Sequence, residues 1–221
     1  KRQQMLLHEV EAFALLSEPL LAEIYHTIYS PCISGPDGHP LFQKIHRKAP
    51  TVMNKICRNA VALSGLAGGD CAFAPGELAR RMYFILNGKF MYRQQGRGTF
   101  ELFTNHWLGE AALWTTSWTH RGELQAKVES DLLMVDAEEF ALTVRTHPRT
   151  YIWVQQYARR YVNEMNLSNA STDMDVSSED FNKRHWANSQ WKPTEDNIDE
   201  EDNEHFETKD MYIRSSFVND A

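Results

Sequence analysis

The residues best suited to chemistry lie in Leu108-Gly109-Glu110-Ala111-Ala112-Leu113-Trp114 and, shortly after, in His120-Arg121-Gly122. A glycine turn opening a short helix leaves the N–H groups of Ala111, Ala112 and Leu113 without helical partners, and the helix dipole adds positive potential there. Such a helix start attracts anions, although water fills it equally well. Glu110 reads either as an acceptor for a ligand hydroxyl or as a helix-start carboxylate favoured by the dipole. Arg121 would add a charge-assisted bond to an anion, whereas a neutral histidine at position 120 donates one hydrogen bond and no charge. Neighbouring residues of a strand face opposite sides. Only one of His120 and Arg121 therefore faces a ligand held by the turn, unless a bulge re-aims the other.

No other spacing in the chain suggests reaction chemistry. His and Cys are not clustered at metal-ligand intervals, and no Ser/His/Asp or paired-carboxylate arrangement emerges, so the chain is not expected to be an enzyme. The GxG of Gln95-Gly96-Arg97-Gly98 is a polar turn, because no helix follows it.

The 221 residues suffice for one domain with extensions, and the net charge of −7 is unevenly spread. Residues 171–221 carry 14 acidic and 5 basic side chains, against 16 and 18 in residues 1–170. The acidity belongs to the tail, which disfavours nucleic acid as a partner. With its Asp199-Glu200-Glu201-Asp202 run, this tail is expected to be disordered. Cys32, Cys57 and Cys71 are odd in number and far apart, which suggests reduced thiols acting as small buried hydrophobes. Asn166-Leu167-Ser168 and Asn169-Ala170-Ser171 match the glycosylation pattern, but no secretory context supports it. No apolar run is long enough to span a bilayer and no signal peptide is present. Because the chain begins at Lys1 and not at Met, it is read as a piece of a longer protein.

Elements must position the cassette. Residues 3–30 read as helix from Leu6, Val10, Phe13, Leu16 and Leu20, with Ser17 as a cap where Pro19 restarts it. Ser30-Pro31 to His39-Pro40 reads as a loop, and Pro50 to Val61 as a second helix. From Ala62 short strands alternate with glycine turns at Gly68-Gly69-Asp70 and Pro75-Gly76-Glu77, suggesting a compact barrel or sandwich. Met82 to Leu86 and Lys89 to Arg93 form a hairpin about Asn87-Gly88. Leu124, Ala126 and Val128 alternate with polar residues, Asp131 to Val135 is the next strand, and Asp136 caps a helix. A last helix after His147-Pro148 places Ile152, Trp153, Tyr157 and Tyr161 on one side and ends near Asn166.

Taken in order, several of these motifs resemble the cyclic-nucleotide-binding domain. Gly69-Asp70, Gly76-Glu77, Met82-Tyr83-Phe84-Ile85 and Gly88-Lys89-Phe90 are similar to its first half. Gly109-Glu110 with Ala112-Leu113, then Ser130-Asp131-Leu132 and Phe140, are similar to its second half. Leu15-Leu16-Ser17-Glu18-Pro19-Leu20, Glu23, Tyr29-Ser30-Pro31 and His39-Pro40-Leu41-Phe42 resemble the C-linker that precedes this domain in voltage-gated channels.

The resemblance implies an α+β fold: an antiparallel, jelly-roll-like β-roll flanked by helices, with N-terminal linker helices. It divides the chain into linker-like helices (1–48), a binding-like domain (49–166) and the acidic tail (167–221). It further implies that Gly109, Glu110, Ala111, Ala112, His120 and Arg121 form the site for a cyclic nucleotide, cAMP or cGMP, with Glu110 on the ribose hydroxyl. Counting back without a gap from Ser130-Asp131-Leu132, His120 stands where the family has its phosphate-binding Arg. Losing one partner of a buried charge pair costs about 2–5 kcal/mol, or roughly two to four decades of affinity, so nucleotide binding is expected to be weak or lost. Trp107, Trp114 and Trp118 crowd the cassette. In some channels of this kind a protein segment occupies the pocket instead, and bulky residues fit that.

The function implied is that of a cytosolic regulatory domain of a voltage-gated or cyclic-nucleotide-gated cation channel, potassium-selective, on the cytoplasmic side of a membrane. Its partners would be neighbouring subunits of a homotetramer, with occupancy of the roll coupled to the gate. The alternatives are a nucleotide-insensitive assembly or interaction domain and a soluble cyclic-nucleotide receptor.

Overall fold

The computed structural model describes residues 16–168 and 172–174. Three helices open the described chain: α1 (Glu18–Ser34), α2 (Pro40–Lys48) and α3 (Pro50–Asn59). Each has proline in its first turn, where the missing N–H costs no helical bond and φ is already set. α1 continues through Pro31 to Ser34, beyond the boundary expected at Ser30. Buried Tyr29 and Ile33 tie that last turn to the core, and packing outweighs the one bond that proline removes. The loop therefore shrinks to residues 35–39. It is followed by α2, unassigned from the sequence, which buries Leu41, Phe42 and Ile45. The helix expected over residues 3–16 lies almost wholly outside the described residues.

Eight strands follow: β1 (Val61–Leu66), β2 (Cys71–Phe73), β3 (Arg81–Asn87), β4 (Phe90–Gln94), β5 (Gly98–Leu102), β6 (Trp107–Leu108), β7 (Gly122–Ala126) and β8 (Ser130–Asp136). They form two antiparallel four-stranded sheets, ordered β1-β8-β3-β6 and β2-β7-β4-β5. A short helix, α4 (Ala111–Trp114), interrupts the roll, and α5 (Ala137–Arg145) and α6 (Pro148–Ser168) close it. The α+β architecture, an antiparallel roll flanked by helices, is as the sequence implied.

Burial explains the register. On β3, Tyr83 and Ile85 point between the sheets with Phe73, Phe90, Tyr92, Leu124 and Leu132. Met82 and Phe84 point the other way, into a core shared with α1, α2, α3, α5 and α6. A strand covered on both faces loses the polar alternation of a half-wet one, which is why Met82 to Ile85 reads as an unbroken apolar run. Helices α1, α2 and α3 and the roll thus share one hydrophobic core. Asp136 caps α5, its carboxylate accepting from the N–H groups of Glu138 and Glu139.

Two sequence expectations shift. The buried stripe of α6 is Val154, Ala158, Val162 and Met165, while Ile152 is 48% exposed. Of the three free cysteines only Cys57 is buried, and Cys71 is exposed. Among the described residues no helix is long and apolar enough to cross a membrane, and no group of three or more His, Cys, Asp or Glu side chains could hold a metal ion.

Candidate functional site

β6 delivers the chain to Gly109, whose φ of +73° is open to glycine at little cost. A Cβ there would also sit 3.1 Å from the Arg81 carbonyl oxygen. The turn then winds into α4. The Ala112 and Leu113 N–H groups are spent inside it, donating to the Gly109 and Glu110 carbonyls at 3.0 and 2.9 Å. The expected crown of free donors is therefore reduced, because α4 is so short that its turn closes on itself. The Gly109 N–H does face a partner: it donates to the Asp173 carbonyl oxygen at 2.7 Å.

Asp173 belongs to the acidic tail expected to be unstructured, yet Thr172–Met174 return into the roll and Asp173 is 1% exposed. Its carboxylate gathers donors from two separate stretches, residues 118–122 and Tyr92 on β4. Oδ1 accepts from the Trp118 indole Nε1 at 2.8 Å and from His120 Nδ1 at 3.1 Å. Oδ2 accepts from the Gly122 N–H at 3.0 Å, from the Arg121 N–H, and from the Tyr92 hydroxyl at 2.9 Å. The Asp173 N–H donates to the same hydroxyl at 3.3 Å. An aspartate buried in this way is stable only because its charge is met. Burial pushes its carboxyl upward, but bonds from His120 and Trp118, the His120 charge and the Arg121 N–H outweigh burial and hold it below the ordinary carboxylate range.

The donors are themselves held in place. His120 stacks on Phe73, with centroids 3.7 Å apart and planes 10° from parallel. Its N–H donates to the Glu77 carbonyl and its own carbonyl accepts from Gly76. Gly122 lies under the Tyr92 ring, and a Cβ there would come within 2.5 Å of Tyr92 Cζ and of the Arg93 carbonyl oxygen. The Tyr92 hydroxyl is raised in pKa, first by burial and next by the Asp173 charge, and so remains a donor. Arg121 contributes its backbone to the site, while its guanidinium lies 4.6 Å from the Trp118 ring centroid, an arrangement that suits a cation over an indole face.

Glu110 is occupied elsewhere. Its Oε2 accepts from His39 Nε2 at 2.8 Å and its Oε1 from the Trp114 indole at 3.1 Å. The structure thus brings Gly109, His120 and Arg121 together around Asp173, and commits Glu110 to His39, just before α2, and to Trp114 of α4. Tyr92, Trp118, Asp173 and His39 were not singled out as site residues from the sequence. A signal existed for two of them, since His39 stands in the His39-Pro40-Leu41-Phe42 step and Trp118 is among the tryptophans that crowd the cassette. A separate open cleft of about 540 Å³, lined by Lys55, Arg58, Glu139 and Thr143 among others, involves α3 and α5 and includes no cassette residue.

No family model matches the chain, and no curated protein matches it. Among solved structures it is similar to the C-linker/CNBHD of zELK channels, at 17% sequence identity and a TM-score of 0.49 over 62% of this chain and 68% of that one.

Proposed function

We propose that this chain is a regulatory domain of the cyclic-nucleotide-binding type that works without nucleotide, its pocket being filled by its own Thr172–Met174 segment. The observation that carries the reading is the Asp173 carboxylate, on which five donors converge. The anion that the cassette and the following strand are arranged to bind is part of the chain. Glu110, the residue the resemblance assigns to a ribose hydroxyl, has both oxygens engaged by His39 and Trp114. A cyclic nucleotide would have to displace a tethered segment and then manage with His120 in place of a guanidinium, which together favour the nucleotide-insensitive reading.

The Leu15–Phe42 resemblance to a C-linker makes a voltage-gated or cyclic-nucleotide-gated cation channel, potassium-selective and tetrameric, the natural parent. In that setting the roll would bias the gate through α1 and α2, which share its core. Calorimetric titration with cAMP and cGMP tests the pocket. No binding is expected at micromolar ligand in the wild-type chain, and micromolar binding would overturn the reading. Six apolar spans upstream in the parent sequence are expected, and their absence would remove the channel.

A further inference from the structure

Resting on the reading that Asp173 is the pocket's own ligand, we propose that the buried His39–Glu110 pair is the coupling element through which the linker senses whether that ligand is docked. Two adjacent cassette residues face two different elements. Gly109 donates its N–H to the Asp173 carbonyl at 2.7 Å, and Glu110, the next residue, accepts from His39 Nε2 at 2.8 Å. His39 immediately precedes α2. Its N–H donates to the Ile33 carbonyl at the end of α1, and its carbonyl accepts from the Gln43 N–H in the first turn of α2. One residue thus joins both linker helices to the cassette.

The way His39 is held argues against a purely structural role. It is 1% exposed and ringed by Phe42, Phe84, Trp107 and Tyr157, with centroids 5.3 to 6.5 Å away. A phenyl ring would suit such a box. Instead an imidazole sits there with Nδ1 buried and without a hydrogen-bond partner, which is costly. What the imidazole supplies and a phenyl ring cannot is the Nε2–H bond to Glu110. Glu110 is 3% exposed and would be an expensive buried carboxylate without it. Undocking of Asp173 releases the Gly109 N–H, frees the turn to rotate, and moves Glu110 relative to His39. The linker end of the pair then loosens. His39 and Glu110 are positioning residues in this scheme, since neither touches the Asp173 carboxylate.

Amide hydrogen exchange read at single residues tests the coupling in the full chain. The variants are Asp173→Ala, His39→Phe, His39→Gln and the two double substitutions. Asp173→Ala is expected to speed exchange at Arg121 and Gly122, which lose their acceptor, and also at His39 and Gln43 by about tenfold, within the usual range of coupling between sites. Added to His39→Phe, Asp173→Ala should leave Gln43 no faster than His39→Phe alone. Added to His39→Gln, whose amide can still donate to Glu110, it should restore the response. Faster exchange at Arg121 and Gly122 with His39 and Gln43 unchanged would overturn the coupling and spare the docked segment. No change at Arg121 and Gly122 would overturn the docked segment and the coupling with it. A full response in the His39→Phe background would show that the signal bypasses the pair, and would overturn the proposal.

Discussion

Replacing Asp173 by alanine removes one carboxylate and leaves five donors facing an empty volume: Trp118 Nε1, His120 Nδ1, the Arg121 and Gly122 N–H groups and the Tyr92 hydroxyl. Hydrogen bonds to a charged group contribute about 1.5–3 kcal/mol each. They are not additive here, because the three-residue segment can leave and water can solvate what remains. Breaking a buried charge arrangement by removing one partner typically costs about 3–5 kcal/mol, and rehydration places the expected loss at the lower end, about 3 kcal/mol. For a domain of about 150 residues each kcal/mol moves Tm by about 2–4 °C, so Tm should fall by about 6–12 °C. Differential scanning calorimetry reads the shift, and Trp118 emission reports the loss of its indole bond. Asp173→Asn sharpens the test. Every side-chain and backbone partner donates, so the amide nitrogen of asparagine confronts donors in either orientation, and this isosteric change should cost nearly as much as alanine. A fall of less than about 2 °C for both variants, at a scale of 2–4 °C per kcal/mol, would refute the reasoning.

Three further outcomes follow from the same geometry. The Asp173 carboxyl lies below its ordinary value of about 3.9 because bonds from His120 and Trp118 and the His120 charge outweigh burial, so its contribution is complete above that value and is lost as pH falls through the depressed one. The Tm gap between wild type and Asp173→Ala should therefore hold from pH 7 down to about 4 and close below it; a gap that widened under acid would contradict the assignment. Gly122→Ala places a methyl 2.5 Å from Tyr92 Cζ and the Arg93 carbonyl oxygen. Overpacking of that kind costs about 1–3 kcal/mol, and chemical denaturation should show it together with faster exchange of the Gly122 amide. His120→Arg alone should not create a cyclic-nucleotide site, because the new guanidinium meets Asp173; titration with cAMP should remain silent, and micromolar binding by this single variant would contradict the docked segment.

Much of the roll was legible along the chain because its signals are local. Glycine turns at Gly69, Gly76 and Gly88 take positive φ, and Asp136 caps α5 through bonds only two and three residues away. The Asn87-Gly88 turn is present, but it carries the chain from β3 in one sheet to β4 in the other, so the hairpin expected there does not form. Where local signals met tertiary packing they yielded. Pro31 reads as a helix stop, but the core around Tyr29 and Ile33 carries α1 past it. Ile152 groups by spacing with Trp153, Tyr157 and Tyr161 on one side of the last helix, but it is exposed, and α6 presents Val154, Ala158 and Val162 to the interior.

The sequence by itself located most of the roll's strands and turns, the apolar run that became β3, and the Gly109-Glu110 turn with His120-Arg121 after it. It could not determine what satisfies the cassette. Asp173 is one of 14 acidic residues in residues 171–221, and nothing in its neighbours distinguishes it. Its partners lie 51 to 81 positions away, and Glu110 finds His39 across 71. Pairings at such separations leave no periodic trace, since they depend on strands and turns converging in space. Only the closed roll, by aiming five donors at one point and burying them there, decides which carboxylate meets them.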